Sequence, residues 1–431
     1  MKARIVRAAG AGTLHLFRWA DRNLNGRDLG LNSSDNQQNP YAELNRIRTS
    51  GPVLRSFANR GWVILGFDEV QAAFKDTRFG SDLRQNKLLS TLIGATADGK
   101  EVPMLDNPSM LNLDAPAHTR LRKLVSRGFL HKYIQSLEPA ISRIVARCLD
   151  GIDPTRDSFD LVADLAQPLP AIVIAEMLGL PEGDRAQFHI WSNELLGLTL
   201  IEDPNKMTSG TRANVKLVDY FAGVIEHKRR SPGQDLIGQL IAAEEEGHRL
   251  TADEMYATCV LLLTAGHETT TRLIANGMYT LLLPQHVDQL MMLQQDPTLA
   301  ANAIEEMLRF EPPMQLMPRV ASQDIEFCGQ RIKKNQLLLL SIAGANRDEA
   351  ANDNPNAFDI TRESIKHISF GHGIHLCLGL SLARLAINAL LARFPQMTLA
   401  DAPVVWTNNQ LVRGMENLQV SINQPLQRAT G

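Results

Sequence analysis

One stretch of this chain, Thr251 to Leu283, leaves little choice of architecture. Thr251-Ala252-Asp253-Glu254 has the form of a capping box, in which a Thr and a Glu each satisfy a backbone N–H of the other. No proline interrupts the run until Pro284. A helix of about 33 residues rises roughly 50 Å at 1.5 Å per residue. A helix so long and so apolar must pass through a core. Val53–Ser56 and Trp62–Leu65 read as a short hairpin followed by a helix from Asp68. A later β cluster falls at Arg319–Ala321, at Ile325–Phe327 turning on Cys328-Gly329, and at Leu337–Ser341. Nearly everything between is helical in pattern, so the expected fold is mainly α with a small β side-layer.

Within the long run lies Ala265-Gly266-His267-Glu268-Thr269-Thr270-Thr271. Glycine and threonine are poor helix formers, and Glu268 places a charge in the middle of an apolar segment. A kink with solvent-facing polar groups is one reading; a functional site, where local rules tend to break, is the other. Thr269 can turn its hydroxyl back to the carbonyl of Ala265, opening the ladder and leaving a groove for a small ligand or water.

The second informative stretch is Phe370-Gly371-His372-Gly373-Ile374-His375-Leu376-Cys377-Leu378-Gly379. It sets one cysteine on a glycine-rich turn, directly before an apolar helical pattern from Leu378 to about Phe394. A helix N-terminus stabilises a thiolate through its dipole and its unpaired N–H groups. Gly371, Gly373 and Gly379 allow close approach of backbone to a flat ligand. Haem, a large planar group needing an axial sulfur, fits this arrangement. Three zinc ligands (His372, His375, Cys377) crowded into six residues without a second cluster fit poorly, and a buried, inert cysteine is the plainer alternative.

Bulk properties narrow the classes further. The 431 residues carry 44% hydrophobic residues and a net charge of −3, ample for a core and unsuited to nucleic acid. Motifs bearing on one site spread from Asp114 to Gly379, which favours one large domain over a string of modules. We expect an N-terminal arm and loop over 1–40 and a single catalytic domain over 41–431. The four cysteines are scattered with no Cys-x-x-Cys pair, the pattern of a reducing, cytoplasmic compartment without disulfides. No window near the N-terminus holds the roughly 20 apolar residues of a membrane span.

Phe370, Gly373, His375, Cys377 and Gly379 together closely resemble the haem-thiolate signature of the cytochrome P-450 family, and the likeness extends over most of the chain. It implies the family's triangular prism, with the long central helix over the haem, and haem b ligated by the Cys377 thiolate. Ala265–Thr271 resembles the family's oxygen-binding segment: Ala265 and Gly266 lie against the cofactor, Thr269 hydrogen-bonds the bound oxygen and Glu268 relays protons. Asp114-Ala115-Pro116 and the helix after it resemble the propionate-binding helix. His118, Arg122, Arg319 and His375 would hold the propionates, with Phe370 and Gly371 beside the cofactor. Glu306 and Arg309, in a helix opened by Asp296-Pro297, match the family's buried Glu-x-x-Arg pair. Its usual second arginine is replaced by Ala357, which leaves open what completes that pair.

By the same resemblance Leu261, Leu262, Thr264, Gln315, Met317, Leu411 and Val412 would contact substrate. Leu88–Ile93 and Trp191–Leu200 are apolar, which points to a lipophilic small molecule. The chain would insert one oxygen atom of O2 into a C–H bond. Electrons would come from an iron–sulfur ferredoxin and its NAD(P)H-dependent flavin reductase, with Arg120, Lys123 and Arg127 as a basic docking patch. A peroxide-driven enzyme and a non-catalytic haem sensor or carrier are the rival readings.

Overall fold

The computed structural model describes residues 39–57, 61–86, 109–128, 131–153, 155–195, 204–231, 233–245, 250–377, 382–407, 409 and 411–422. Gly379 and the Leu88–Ile93 stretch lie outside them, as does nearly all of the 1–40 arm.

The central helix, Ala252–Leu282, forms as expected, and the Thr251 and Glu254 capping box closes its first turn in both directions. It threads two apolar clusters. Its first half contributes Met255, Cys259 and Leu263 to one, with Leu121, Leu124 and Val125 of the Ala117–Gly128 helix and Leu217 and Phe221 of the Pro204–Arg230 helix. Its second half contributes Leu273, Ile274, Met278 and Leu281 to the other, with residues of the His131–Asp150, Ala300–Phe310 and Leu382–Arg393 helices. Full burial of a Leu or Ile such as Leu263 or Ile274 stabilises by roughly 1.5–3 kcal/mol. Residues 264–272 lie between the two clusters. That junction is where a helix so long can carry polar side chains without emptying a core.

The side-layer is a five-stranded sheet in the order β1-β2-β8-β5-β3, formed by Val53–Ser56 (β1), Gly61–Ile64 (β2), Phe79–Gly80 (β3), Leu316–Ala321 (β5) and Leu337–Ser341 (β8). β2 runs parallel to β8, whereas β5 runs antiparallel to it with Arg319 opposite Leu338. The predicted turn at Cys328-Gly329 joins β6 (Ile325–Phe327) to β7 (Gln330–Ile332); both turn residues have positive φ, 48° and 71°, the twist a two-residue hairpin requires. Ser158–Asp160 (β4), Thr398–Leu399 (β9) and Gln419–Ser421 (β10) make a small separate sheet in the order β4-β10-β9. Among the described residues no helix is long and apolar enough to cross a membrane.

Candidate active site

Cys377 ends the described part of its loop and is held in place by its own N–H, which donates to the carbonyl of Phe370 at 3.0 Å. Its side chain is exposed and in no disulfide. Gly371 and Gly373 take left-handed φ values of 67° and 72°, which only glycine adopts cheaply. At Gly373 the close approach is to protein rather than to a ligand: a Cβ there would stand 2.7 Å from the carbonyl oxygen of Phe74. Phe370 is half-buried and meets the ring of His367 edge-on at 5.6 Å.

Beside that loop the fold gathers four basic side chains from three elements. His118 and Arg122 share one face of the Ala117–Gly128 helix, Arg319 comes from β5, and His375 from the loop itself. The rings of His118 and His375 lie 4.1 Å apart. His118 is 2% exposed, and neither of its ring nitrogens has a hydrogen-bond partner. Arg319 is 4% exposed and donates to the carbonyl of Pro318 at 2.8 Å. His375 Nε2 lies 3.0 Å from Ser81 Oγ, and Arg122 donates to the carbonyl of Leu376.

Burial, then the neighbouring cations His118, Arg319 and Arg122, press His375 down to about 3. Burial brings Arg319 down to about 10 against the pull of Asp114. Burial and Arg122 likewise lower His118. A site that holds the Arg122 and Arg319 guanidiniums, two imidazoles kept from protonating by burial, and two unpartnered nitrogens on His118 fits an anionic group with two carboxylates. The residues present therefore suit the propionates of a haem.

The oxygen-side segment departs from expectation in one respect. The Thr269 hydroxyl donates to the carbonyl of Ala265 at 2.6 Å. The helix nevertheless continues unbroken, because a carbonyl has two lone pairs and accepts a hydroxyl without releasing its backbone partner. Ala265 is exposed and Thr269 half-buried on one face. Gly266 faces elsewhere, and a Cβ on it would stand 3.0 Å from Ile174 Cδ1 of the Pro168–Met177 helix. Its smallness serves helix packing on that side.

Glu268 is 6% exposed and lies 3.9 Å from Arg272, one turn on. Burial pushes its carboxyl up to about 6 although Arg272 opposes this. Arg272 in turn donates to the carbonyl of Met415 and leaves its Nε unpartnered. The sequence showed this pair as Glu and Arg at i, i+4, and our reading of it passed over the spacing.

The residues expected to line the pocket are partly united. Gln315 and Leu411 are joined by a backbone hydrogen bond of 2.8 Å, and Met314 bridges Val412, so β5 and the 411–412 segment do come together. Met317 is half-buried in β5. The Gln315 side chain, however, is buried and donates to the carbonyl of Pro312 at 2.6 Å. Leu261 and Leu262 pack against the first apolar cluster, and Thr264 bonds back to the carbonyl of Val260 at 2.8 Å.

Glu306 and Arg309 form a fully buried bidentate pair at 2.7 and 2.8 Å. Ala357 is not left as a gap. Arg362, five residues later, supplies the second guanidinium to Glu306 at 3.1 Å, and Arg309 donates to the carbonyl of Ala357 itself. Of the proposed docking residues, Arg120 is ion-paired with Glu254 of the capping box, Lys123 is exposed, and the Arg127 side chain lies outside the described residues.

A mainly helical fold with one long helix beside a cysteine loop and a buried basic cluster defines a class of haem-thiolate oxygenases. Residues 101–396 match the Cytochrome P450 family. The chain is 37% identical over 405 residues to the cytochrome P450 monooxygenase PikC of Streptomyces venezuelae, covering 91% of this chain and 93% of that one. It is also 37% identical over 395 residues to the vitamin D(3) 25-hydroxylase of Pseudonocardia autotrophica, covering 89% and 94%. Its fold superposes with a TM-score of 0.80 on P450BioI in complex with an acyl carrier protein bearing hexadec-9Z-enoic acid, at 37% identity over 90% of this chain and all of that one. The chain belongs to the cytochrome P450 family and is a haem-thiolate monooxygenase, an oxidoreductase.

Proposed function

We propose that this enzyme inserts one oxygen atom of O2 into a C–H bond of a lipophilic small molecule, at a haem b whose axial ligand is Cys377. The observation that carries the assignment is the buried basic cluster beside the Cys377 loop, with both nitrogens of His118 unpartnered. His118 and Arg319 would meet the propionates, with Arg122 and His375 completing the edge. When bound, the haem supplies the oxygen-activating chemistry, favoured by electron donation from the thiolate.

The chain's own task on the other side is to deliver two protons. Thr269 holds its hydroxyl at a fixed point on the helix face, and Glu268, with its carboxyl raised to about 6, is protonated far more often near neutral pH than an ordinary carboxyl. Arg272 keeps that acid from rising further. The balance is substrate C–H, O2, two electrons and two protons giving C–OH and water.

Electrons come from a separate acidic ferredoxin with its flavin reductase, and scattered cysteines in no disulfide fit a cytoplasmic setting. The substrate class rests on the apolar residues expected near the site. It agrees with one relative named a vitamin D(3) 25-hydroxylase and with another solved in complex with an acyl carrier protein bearing hexadec-9Z-enoic acid. Two measurements test the reading. Cys377→Ser should abolish the thiolate-type spectrum of the reduced carbon monoxide complex, and an unchanged spectrum removes the ligand assignment. Thr269→Ala should consume reducing equivalents at a comparable rate while product per electron falls and hydrogen peroxide appears. Full coupling in that variant, or undiminished activity with added peroxide alone, would favour a peroxide-driven enzyme.

A further inference from the structure

His267 sits between Gly266 and Glu268, inside the segment just described, yet faces away from it. At about 100° per residue it stands about 100° round the axis from Glu268 and about 200° from Thr269. Its imidazole is fully buried and engaged on both nitrogens. Nδ1 lies 2.7 Å from Ser192 Oγ on the Arg185–Leu195 helix, and Nε2 lies 2.9 Å from the carbonyl oxygen of Gln167. Gln167 joins the π-helical turn Val162–Ala166 to the Pro168–Met177 helix.

A carbonyl only accepts, so Nε2 carries the proton. In the neutral ring Nδ1 is then the acceptor, and the Ser192 hydroxyl donates to it. The ring is satisfied without a charge. Ser192 is itself 1% exposed, so a lost partner leaves an unsatisfied hydroxyl inside the protein, at about 1–3 kcal/mol. Gly266, one residue back, removes the Cβ that would press on Ile174, which lets the two helices meet closely enough for this contact.

We propose that His267 is a positioning residue. Clamped between Ser192 and the Gln167 carbonyl, it fixes the rotation of the central helix that presents Glu268 and Thr269. It also couples that rotation to the Arg185–Leu195 helix, whose Trp191 meets Tyr220 edge-on at 5.7 Å. The inference rests on the monooxygenase reading above for its effect on turnover, but not for the clamp.

The test uses the haem-loaded protein and the variants His267→Leu, His267→Gln and Ser192→Ala. His267→Leu removes both bonds and should speed backbone amide exchange over 265–269 by about tenfold or more. Product per electron should fall at least about threefold, with substrate affinity by spectral titration within about twofold of wild type. His267→Gln keeps a donor that reaches the Gln167 carbonyl and should recover most of the coupling; a residue serving only as filler would not be rescued by a polar chain. Should His267→Leu fail to fold, Ser192→Ala, which deletes one oxygen, carries the test in the same direction with a smaller effect. Unchanged exchange and coupling in Ser192→Ala, or a Gln variant no better than Leu, would overturn the clamp. Failure of the monooxygenase reading would appear separately, as electron consumption without product in the wild type, and amide exchange would then decide the clamp alone.

Discussion

The charges around Glu306 and those around His118 are both buried, and they are assembled on different terms. Glu306 receives Arg309 twice, Arg362 once and the N–H of Asp359, while Arg309 gives its remaining donors to the carbonyls of Asn346, Pro355 and Ala357. Opposite charges meet at 2.7 to 3.1 Å, and the set is complete in itself. Around His118 the guanidiniums of Arg122 and Arg319 meet neutral carbonyl oxygens, and the two imidazoles meet each other. Asp114, the nearby carboxylate, gives its oxygens to the N–H groups of Ser81 and Asp82. A closed network is costly to break because a buried charge is left unpaired; an open basic one is ready to hold something anionic.

The sharpest way to break this contrast is to remove one member of the closed set. Arg309→Leu leaves Glu306 charged with one guanidinium and three carbonyls unserved, and should cost about 3–5 kcal/mol in denaturant unfolding. Arg362→Met, at the wetter edge of the same set, should cost roughly half as much. Equal, small effects of the two would mean that Arg362 does not replace the arginine absent at Ala357.

Glu268 is the intermediate case, a buried acid with a partner too far for a hydrogen bond. Raising a carboxyl from 4.5 to about 6 corresponds to about 2 kcal/mol. The sign follows from linkage. Below pH 4.5 the group is protonated in both folded and unfolded chains, and its stability is intact. That stability is lost as pH rises through 6, where the buried carboxyl must ionise. Glu268→Gln should therefore gain about 2 kcal/mol over wild type between pH 4 and pH 8, while turnover slows. A gain independent of pH would refute the raised acid.

The smallest expected effect has the opposite sign to the first. His118→Leu removes two unpartnered nitrogens, so the haem-free protein should be unchanged or stabilised by about 1 kcal/mol. Haem loss, followed by its transfer to an acceptor protein, should nonetheless accelerate. A haem-free variant that unfolds more easily would make His118 a structural residue like Arg309.

Much of this was legible before any coordinates. Thr251 and Glu254 marked the start of the central helix, since a capping box is local. The hairpin and β5–β8 cluster stood out by alternation for the same reason. The gathering of His118, Arg122, Arg319 and His375 came through resemblance, because their separation along the chain leaves no local signal. Arg362 was invisible: nothing near it in sequence says that it meets Glu306, 56 residues away. Arg120 looked like a free surface cation and proved to be paired with Glu254, again a contact between distant elements. A glycine in a functional segment has two uses, and the packing use of Gly266 shows only once Ile174 is brought against it.

The bonds from Arg309 and Arg362 end on main-chain carbonyls at 346, 353, 354, 355 and 357. Every amino acid brings the same carbonyl. A loop gripped in this way is indifferent, as far as the grip is concerned, to which side chains it bears, so mutations between Asp353 and Ala357 arise against a forgiving background. The anchoring arginines carry the constraint instead. An inherited change such as alanine at position 357 can then persist without a compensating change in the loop, provided a guanidinium survives somewhere within reach of Glu306.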